Sequence, residues 1–169
     1  MPYNSSVTDF RIERLEPCEA ARLRAIRLAA LREAPEAFGG TLEESLSRPQ
    51  SAWSAQLEAL PTFVAAAAGT DVGMARGGPA EQDPDAAFLL SMWVAPSARG
   101  AGVGEALIAA VAAWARAEGF ARLLLDVGDE NAHAVALYAR CGFVPTGEVS
   151  TLPPPRTHVR EHRRVLHLA

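Results

Sequence analysis

Phe88-Leu89-Leu90-Ser91-Met92-Trp93-Val94, followed after four residues by Arg99-Gly100-Ala101-Gly102-Val103-Gly104, is the stretch from which the fold can be read. The first segment is apolar at nearly every position, as a strand buried on both faces would be. After the glycines comes Glu105 to Glu118, rich in Ala and Leu, which predicts a helix closed by Gly119 at C′. Three glycines within five residues let the backbone approach a ligand with no Cβ in the way. The amides that follow open a helix, where unpaired N–H groups and the positive end of the dipole attract phosphate. The stretch reads as a pyrophosphate cradle, with a plain glycine turn capping a helix as the alternative.

Outward from this stretch, 169 residues with 49% hydrophobic content predict one domain over 1–169 with a real core. The net charge of −4 argues against a nucleic-acid surface and favours a cationic acceptor. Cys18 and Cys141 make no disulfide framework, so a reducing cytoplasm is the expected compartment. No apolar run approaches the ~20 residues of a membrane span, and no charged segment precedes an apolar one at the N-terminus. The expectation is a soluble chain that is not exported and does not meet a membrane.

Phe10-Arg11-Ile12-Glu13 alternates like a half-exposed first strand. Pro17 can start a helix whose apolar face holds Leu23, Ile26, Ala30 and Leu31 and which ends before Pro35. Thr41-Leu42-Glu43-Glu44 fits a capping box, opening a second helix interrupted at Pro49 and continued by Trp53 and Leu57. Phe63 to Ala68 and Val72 to Ala75 flank a Gly69-Thr70 turn as a hairpin. Residues 77–85 hold two Gly, two Pro and three acids and are expected to form a loop. Ala121 to Val127 is a further strand, Asn131 to Cys141 a helix with Gly142 at C′, and Phe143 to Val149 and Arg164 to Leu168 the last strands. The succession β-α-α-β-β-β-α-β-α-β-β predicts an α/β fold with a mixed sheet. The strand–helix units at 88–118 and 121–141 are expected to be right-handed crossovers joining parallel strands.

Two phosphate-binding patterns fail. Walker A needs Gly-Lys-Ser/Thr, and the chain contains no lysine; G-x-G-x-x-G fails because Glu105 stands three after Gly102 and Leu107 three after Gly104. What remains is R-x-x-G-x-G, followed at a distance by Asn131-Ala-His-Ala-Val-Ala-Leu137-Tyr138-Ala-Arg-Cys-Gly142-Phe143. Asn131 and Tyr138 are seven residues apart, two helical turns, and so share a face. The first pattern resembles the acetyl-CoA signature of the GNAT acyltransferase superfamily, and the second its N-x-x-A-x-x-L-Y-x-x-x-G-F segment. Both occur in the family's order.

The resemblance implies a mostly antiparallel central sheet flanked by helices, with a parallel strand pair splayed at the CoA site. It implies transfer of an acetyl group from acetyl-CoA to an amine by direct attack in a ternary complex. The cofactor would meet the backbone of Met92, Trp93 and Val94 as an added strand, and the segment Arg99, Gly100, Ala101, Gly102, Val103, Gly104 and Glu105 at its phosphates. Asn131 would contact the pantetheine arm. Tyr138 would lie near the sulfur as general acid, since the departing thiolate needs a proton or a hydrogen bond and a phenol supplies either. As base, some relatives place an acid five residues before the Asn, where Asp126 stands. Glu33, at the end of the first helix, is a weaker candidate, and an amine that arrives neutral needs none.

His158-Val159-Arg160-Glu161-His162 matches H-x-x-E-H, a zinc pattern that requires a helix and a third ligand. Pro153-Pro154-Pro155 lies just upstream, so no metal is expected. The segment, with Arg156, Arg160, Arg163 and Arg164, is read as a mobile basic loop that contacts the acceptor or another subunit of a homodimer. Cys141 is read as packed rather than nucleophilic. A small amine and a protein N-terminus both stay open as acceptor. The reading from another class is a non-catalytic CoA-binding or sensor module, which the retained Tyr138 disfavours.

Overall fold

The computed structural model describes residues 9–168. Seven strands, β1 (Arg11–Arg14), β2 (Thr62–Ala67), β3 (Thr70–Ala80), β4 (Asp83–Val94), β5 (Arg122–Gly128), β6 (Val144–Thr151) and β7 (Arg160–His167), form one sheet in the order β1-β2-β3-β4-β5-β7-β6. Five α-helices accompany it: α1 (Ala20–Glu33), α2 (Leu42–Ser47), α3 (Gln50–Ala59), α4 (Val103–Ala117) and α5 (Ala132–Arg140). Every pairing is antiparallel except β4 with β5. This is the mixed, mostly antiparallel α/β architecture expected.

Alternation along the strands sorts the core into two layers. On one face, Val64, Met74 and Trp93 pack with Leu23, Ile26 and Leu31 of α1 and Trp53 and Leu57 of α3. On the other, Ala65, Ala75, Leu123, Leu125 and Val127 pack with Leu107, Ile108 and Val111 of α4 and Leu137 and Tyr138 of α5. Helix α4 lies close to β3 because β3 is bare beneath it. A Cβ on Gly73 would stand 3.0 Å from Leu107, and one on Gly77 2.5 Å from the Trp114 ring.

That packing explains one correction. Residues 77–85, expected as a loop, are the outer ends of β3 and β4 joined by a tight turn at Glu81-Gln82. The glycine that looked like loop composition makes room for Trp114, and Pro79 lies beyond Arg76, the last β3 residue paired with β2, where a strand edge tolerates proline. A second correction concerns 153–163. Strand β7 starts at Arg160, so Arg160, Arg163 and Arg164 are strand residues, and β7 inserts between β5 and β6. Strands β5 and β6 run in the same direction, both antiparallel to β7, but they do not touch as a crossover pair would.

The local signals hold. Thr41 and Glu44 form the reciprocal capping box of α2, and Gly119 and Gly142 follow their helices with φ of +89° and +93°.

Candidate active site

Strands β4 and β5 are paired only from Ala86–Phe88 to Arg122–Leu124. Beyond that, β4 turns away because it carries one residue more than β3: Arg76 faces Leu90, yet Met74 faces Trp93. Ser91 takes up the extra residue at φ +52°, a left-handed conformation rare for a side chain with a Cβ. The splayed strands open into a cavity of about 820 Å³. It is lined by Leu89 and Ser91–Val94 of β4 with Arg99, the β5 end Leu125–Gly128, residues of α5, and two loops that meet over it.

Of the residues singled out in the sequence, Met92, Trp93, Val94, Arg99, Asp126, Asn131, Tyr138 and Glu33 are brought together in this lining. Tyr138 is buried on α5, edge-on to Phe143 at 5.9 Å. Burial, with Cys141 nearby, pushes its hydroxyl above the usual phenol range. Asn131 caps α5, its Oδ1 accepting the Ala134 amide at 3.2 Å. Cys141 is half-buried, and burial raises its thiol, which keeps it protonated.

The glycine loop runs along the start of α4. Gly100 and Gly102 take φ of +80° and +84°, and a Cβ on either would meet nothing within 4 Å. Their role is backbone shape. Gly104 differs, because its Cβ would stand 2.8 Å from Leu137 and 3.4 Å from Met92, so its bareness serves helix packing. Val103 is buried in the core. Ala106 makes the first intrahelical bond, to Gly102 at 3.1 Å, which leaves the amides of Val103, Gly104 and Glu105 without helical partners. Glu105 turns outward to Arg140 at 3.2 Å.

Arg99 does something the loop alone does not suggest. Its Nη2 donates to Glu33 Oε2 at 2.9 Å and its Nε to the Val94 carbonyl at 3.1 Å. The same Glu33 oxygen accepts the Trp93 indole N–H at 2.9 Å, and these two donors hold the carboxyl below its usual range. Asp126 stands at the end of β5 with each oxygen taking one N–H of Arg163, at 2.9 and 3.1 Å.

The expected mobile loop is strapped down. Arg156 is buried, and its guanidinium donates to the carbonyls of Pro35 and Gly39, each at 2.6 Å, and to that of Phe38. His158 bonds Glu36 at 3.1 Å, and His162 pairs with Asp129. The two histidines of H-x-x-E-H therefore face different acids, and among the described residues no group of three His, Cys, Asp or Glu is placed to hold a metal ion. Among the described residues no helix is long and apolar enough to cross a membrane. Glu36, Asp129 and His133 also line the cavity and carry no motif; proximity to Pro35 and to Asn131 was their only signal.

Comparison with known proteins agrees with this geometry. Over 62 residues the chain is 44% identical to an aminoglycoside N(6')-acetyltransferase type 1 of Stenotrophomonas maltophilia, which is 37% of this chain and 40% of that one. Such matches span about two fifths or less of the curated relatives' length. A ribosomal-protein-alanine N-acetyltransferase structure from Brucella melitensis superposes with TM-score 0.74 at 25% identity, covering 93% of this chain and 99% of that one. The fold is also that of yncA from Salmonella typhimurium, solved with its cofactor acetyl-CoA (TM-score 0.77, 18% identity, 95% and 94% covered). The model of the acetyltransferase (GNAT) family matches residues 23–143, which takes in the splayed strands, the glycine loop and the Asn131–Phe143 segment, and the chain belongs to that family.

Proposed function

We propose that this chain transfers the acetyl group of acetyl-CoA to a primary amine by direct attack in a ternary complex. The observation that carries the reading is the gap between β4 and β5, with unpaired helix-start amides on one side and a buried tyrosine in its wall. A pantetheine arm in the gap would run along the edge of Met92–Val94 that β5 leaves open, opposite the edge that pairs with β3, continuing the sheet. The amides of Val103, Gly104 and Glu105, with the loop shape set by Gly100 and Gly102, suit the pyrophosphate, and Ala101 and Arg99 belong to the same cradle. Asn131 reaches the arm from the cap of α5.

In the reaction the amine nitrogen bonds to the thioester carbon, the carbon–sulfur bond breaks, and the sulfur leaves as thiolate. Tyr138 answers that charge. Because burial keeps its hydroxyl protonated across the working pH range, it serves as a hydrogen-bond donor to sulfur. A thiol, with an ordinary pKa near ~8.5, is the stronger acid of the two, so full transfer from the phenol would be uphill. Asp126 is assigned the amine proton: a carboxylate oxygen has a second lone pair beside the one each gives to Arg163.

Tyr138→Phe tests the reading, because it keeps the ring packed on Phe143 and removes only the hydroxyl. Turnover, measured as thiol release, should fall on the order of 10²-fold with acetyl-CoA affinity little changed. An unchanged rate removes Tyr138 from the reaction. Tight acetyl-CoA binding with no acceptor in a broad amine and peptide screen would favour the sensor module instead.

A further inference from the structure

Beyond Ser91, β4 pairs along one edge, with β3 through Trp93–Met74 and Val94–Gly73; its pairing with β5 has ended at Phe88. Ala95 donates to the Val72 carbonyl at 2.8 Å, so the residue before it, Val94, turns its own N–H and C=O to the edge that β5 leaves open. That carbonyl is already engaged, because Arg99 Nε donates to it at 3.1 Å. The same guanidinium reaches back to the end of α1, where Nη2 donates to Glu33 Oε2 at 2.9 Å. The Trp93 indole N–H donates to that oxygen as well, also at 2.9 Å. One carboxylate oxygen of α1 thus holds a residue of the open strand end and the first residue of the glycine loop. Glu33, Trp93, Val94 and Arg99 all line the cavity.

The roles expected of these two charged side chains are different: Arg99 as a cation facing the phosphates, Glu33 as a base. Neither fits the contacts. Two donors on one Glu33 oxygen favour its ionised form and hold the carboxyl below its usual range, which makes it a poor proton acceptor. Arg99 has a counter-ion at 2.9 Å, so a pyrophosphate drawn to its guanidinium is repelled by the carboxylate beside it.

We infer that Glu33 is a positioning residue for acetyl-CoA. Through Arg99 and Trp93 it fixes the open end of β4, along which the pantetheine arm runs, against the glycine loop. Arg99 serves the cofactor through this bond and not as a ligand of its phosphates, which are left to the helix-start amides. The inference rests on the acetyl-CoA site proposed above.

The two roles of Arg99 give opposite signs for one substitution. If Arg99 binds phosphate, Glu33→Gln removes a competing negative charge, and acetyl-CoA binds more tightly. If Glu33 positions the strand end, the variant loses the charge that holds Arg99. Acetyl-CoA then binds more weakly, by about 3- to 10-fold in Kd from calorimetric titration. That loss should largely vanish when Glu33→Gln is made in the Arg99→Gln protein, because it runs through that side chain; a general loosening of the fold would add instead. S-acetylpantetheine, which lacks every phosphate of the cofactor, is the second probe, read by competition with acetyl-CoA. Arg99→Gln should weaken both ligands by about the same factor. Melting curves show whether the variants fold, and if Glu33→Gln does not, Arg99→Gln with the two ligands decides. Unchanged or tighter acetyl-CoA binding in Glu33→Gln, or an Arg99→Gln loss confined to acetyl-CoA, would overturn the inference. A wild-type acetyl-CoA complex that acetylates no amine would remove the transfer reading and leave the positioning role to the binding data. Wild-type protein that binds no acetyl-CoA would overturn both.

Discussion

The glycine loop at 99–104 and the β6–β7 loop at 152–159 each reach the cavity at one end, through Arg99 and through His158 and Val159, yet different physics fixes each. The first is held by its own backbone: two positive-φ glycines and the start of α4 set its path within six residues. The second has no such local grammar. It is held by one buried guanidinium reaching carbonyls of Pro35, Phe38 and Gly39, more than a hundred residues earlier in the chain. A loop shaped by torsion preference is formed as soon as its neighbours are; a loop shaped by a distant side chain exists only once the tertiary fold has brought its anchor into place.

The contrast can be broken most directly at Arg156. Arg156→Met removes the donor from three carbonyls at once and should destabilise the protein by about 3 kcal/mol. At roughly 2–4 °C per kcal/mol for a chain of this size, calorimetry should read a drop of several degrees in Tm. A wild-type melting curve would mean that the strap is held by something other than Arg156.

The glycine loop offers a sharper division, within itself. Gly104→Val forces a side chain into Leu137 and should cost about 2 kcal/mol of overpacking, lowering Tm along with acetyl-CoA binding. Gly102→Ala has open space around it and should cost about 1 kcal/mol through its left-handed φ, while acetyl-CoA binding, followed by calorimetric titration, weakens by more than stability does. Equal effects of the two variants on both measurements would erase the distinction between shape and packing.

The smallest effect belongs to the contact that joins the loop to α1. The Trp93 indole, and then Arg99, hold Glu33 below its usual pKa. A depressed folded-state value means the stabilisation is present above the unfolded value of about 4.3 and is lost as pH falls through the folded one. Glu33→Gln should therefore melt slightly below wild type at pH 7, within ~1 kcal/mol, and the difference should close below about pH 4. A difference that stays constant down to pH 3 would detach Glu33's carboxylate from this role.

Much of the fold could be read because its signals act over a few residues. The Thr41 capping box, the C′ glycines and the Asn131 cap each satisfy backbone groups within a turn of the chain. The run at 88–94 read correctly as a strand, but its bulge did not show, since Ser91 carries no glycine to announce a positive φ. The stretch 77–85 misled because glycine has two causes, and there the cause was the Trp114 ring approaching from another element.

By itself, then, the sequence determined the helices, their ends, the glycine loop and part of the cavity lining, from Glu33 and the Met92–Val94 segment to Asp126, Asn131 and Tyr138. The tertiary structure alone decided how those residues are engaged. It set Arg99 on Glu33, Asp126 on Arg163, Arg156 across the α1–α2 connection, and β7 between β5 and β6. Torsion and capping energies are properties of neighbouring residues and are written in their order. Ion pairs and strand registers depend on which surfaces the folded chain brings together, and residue order does not record that.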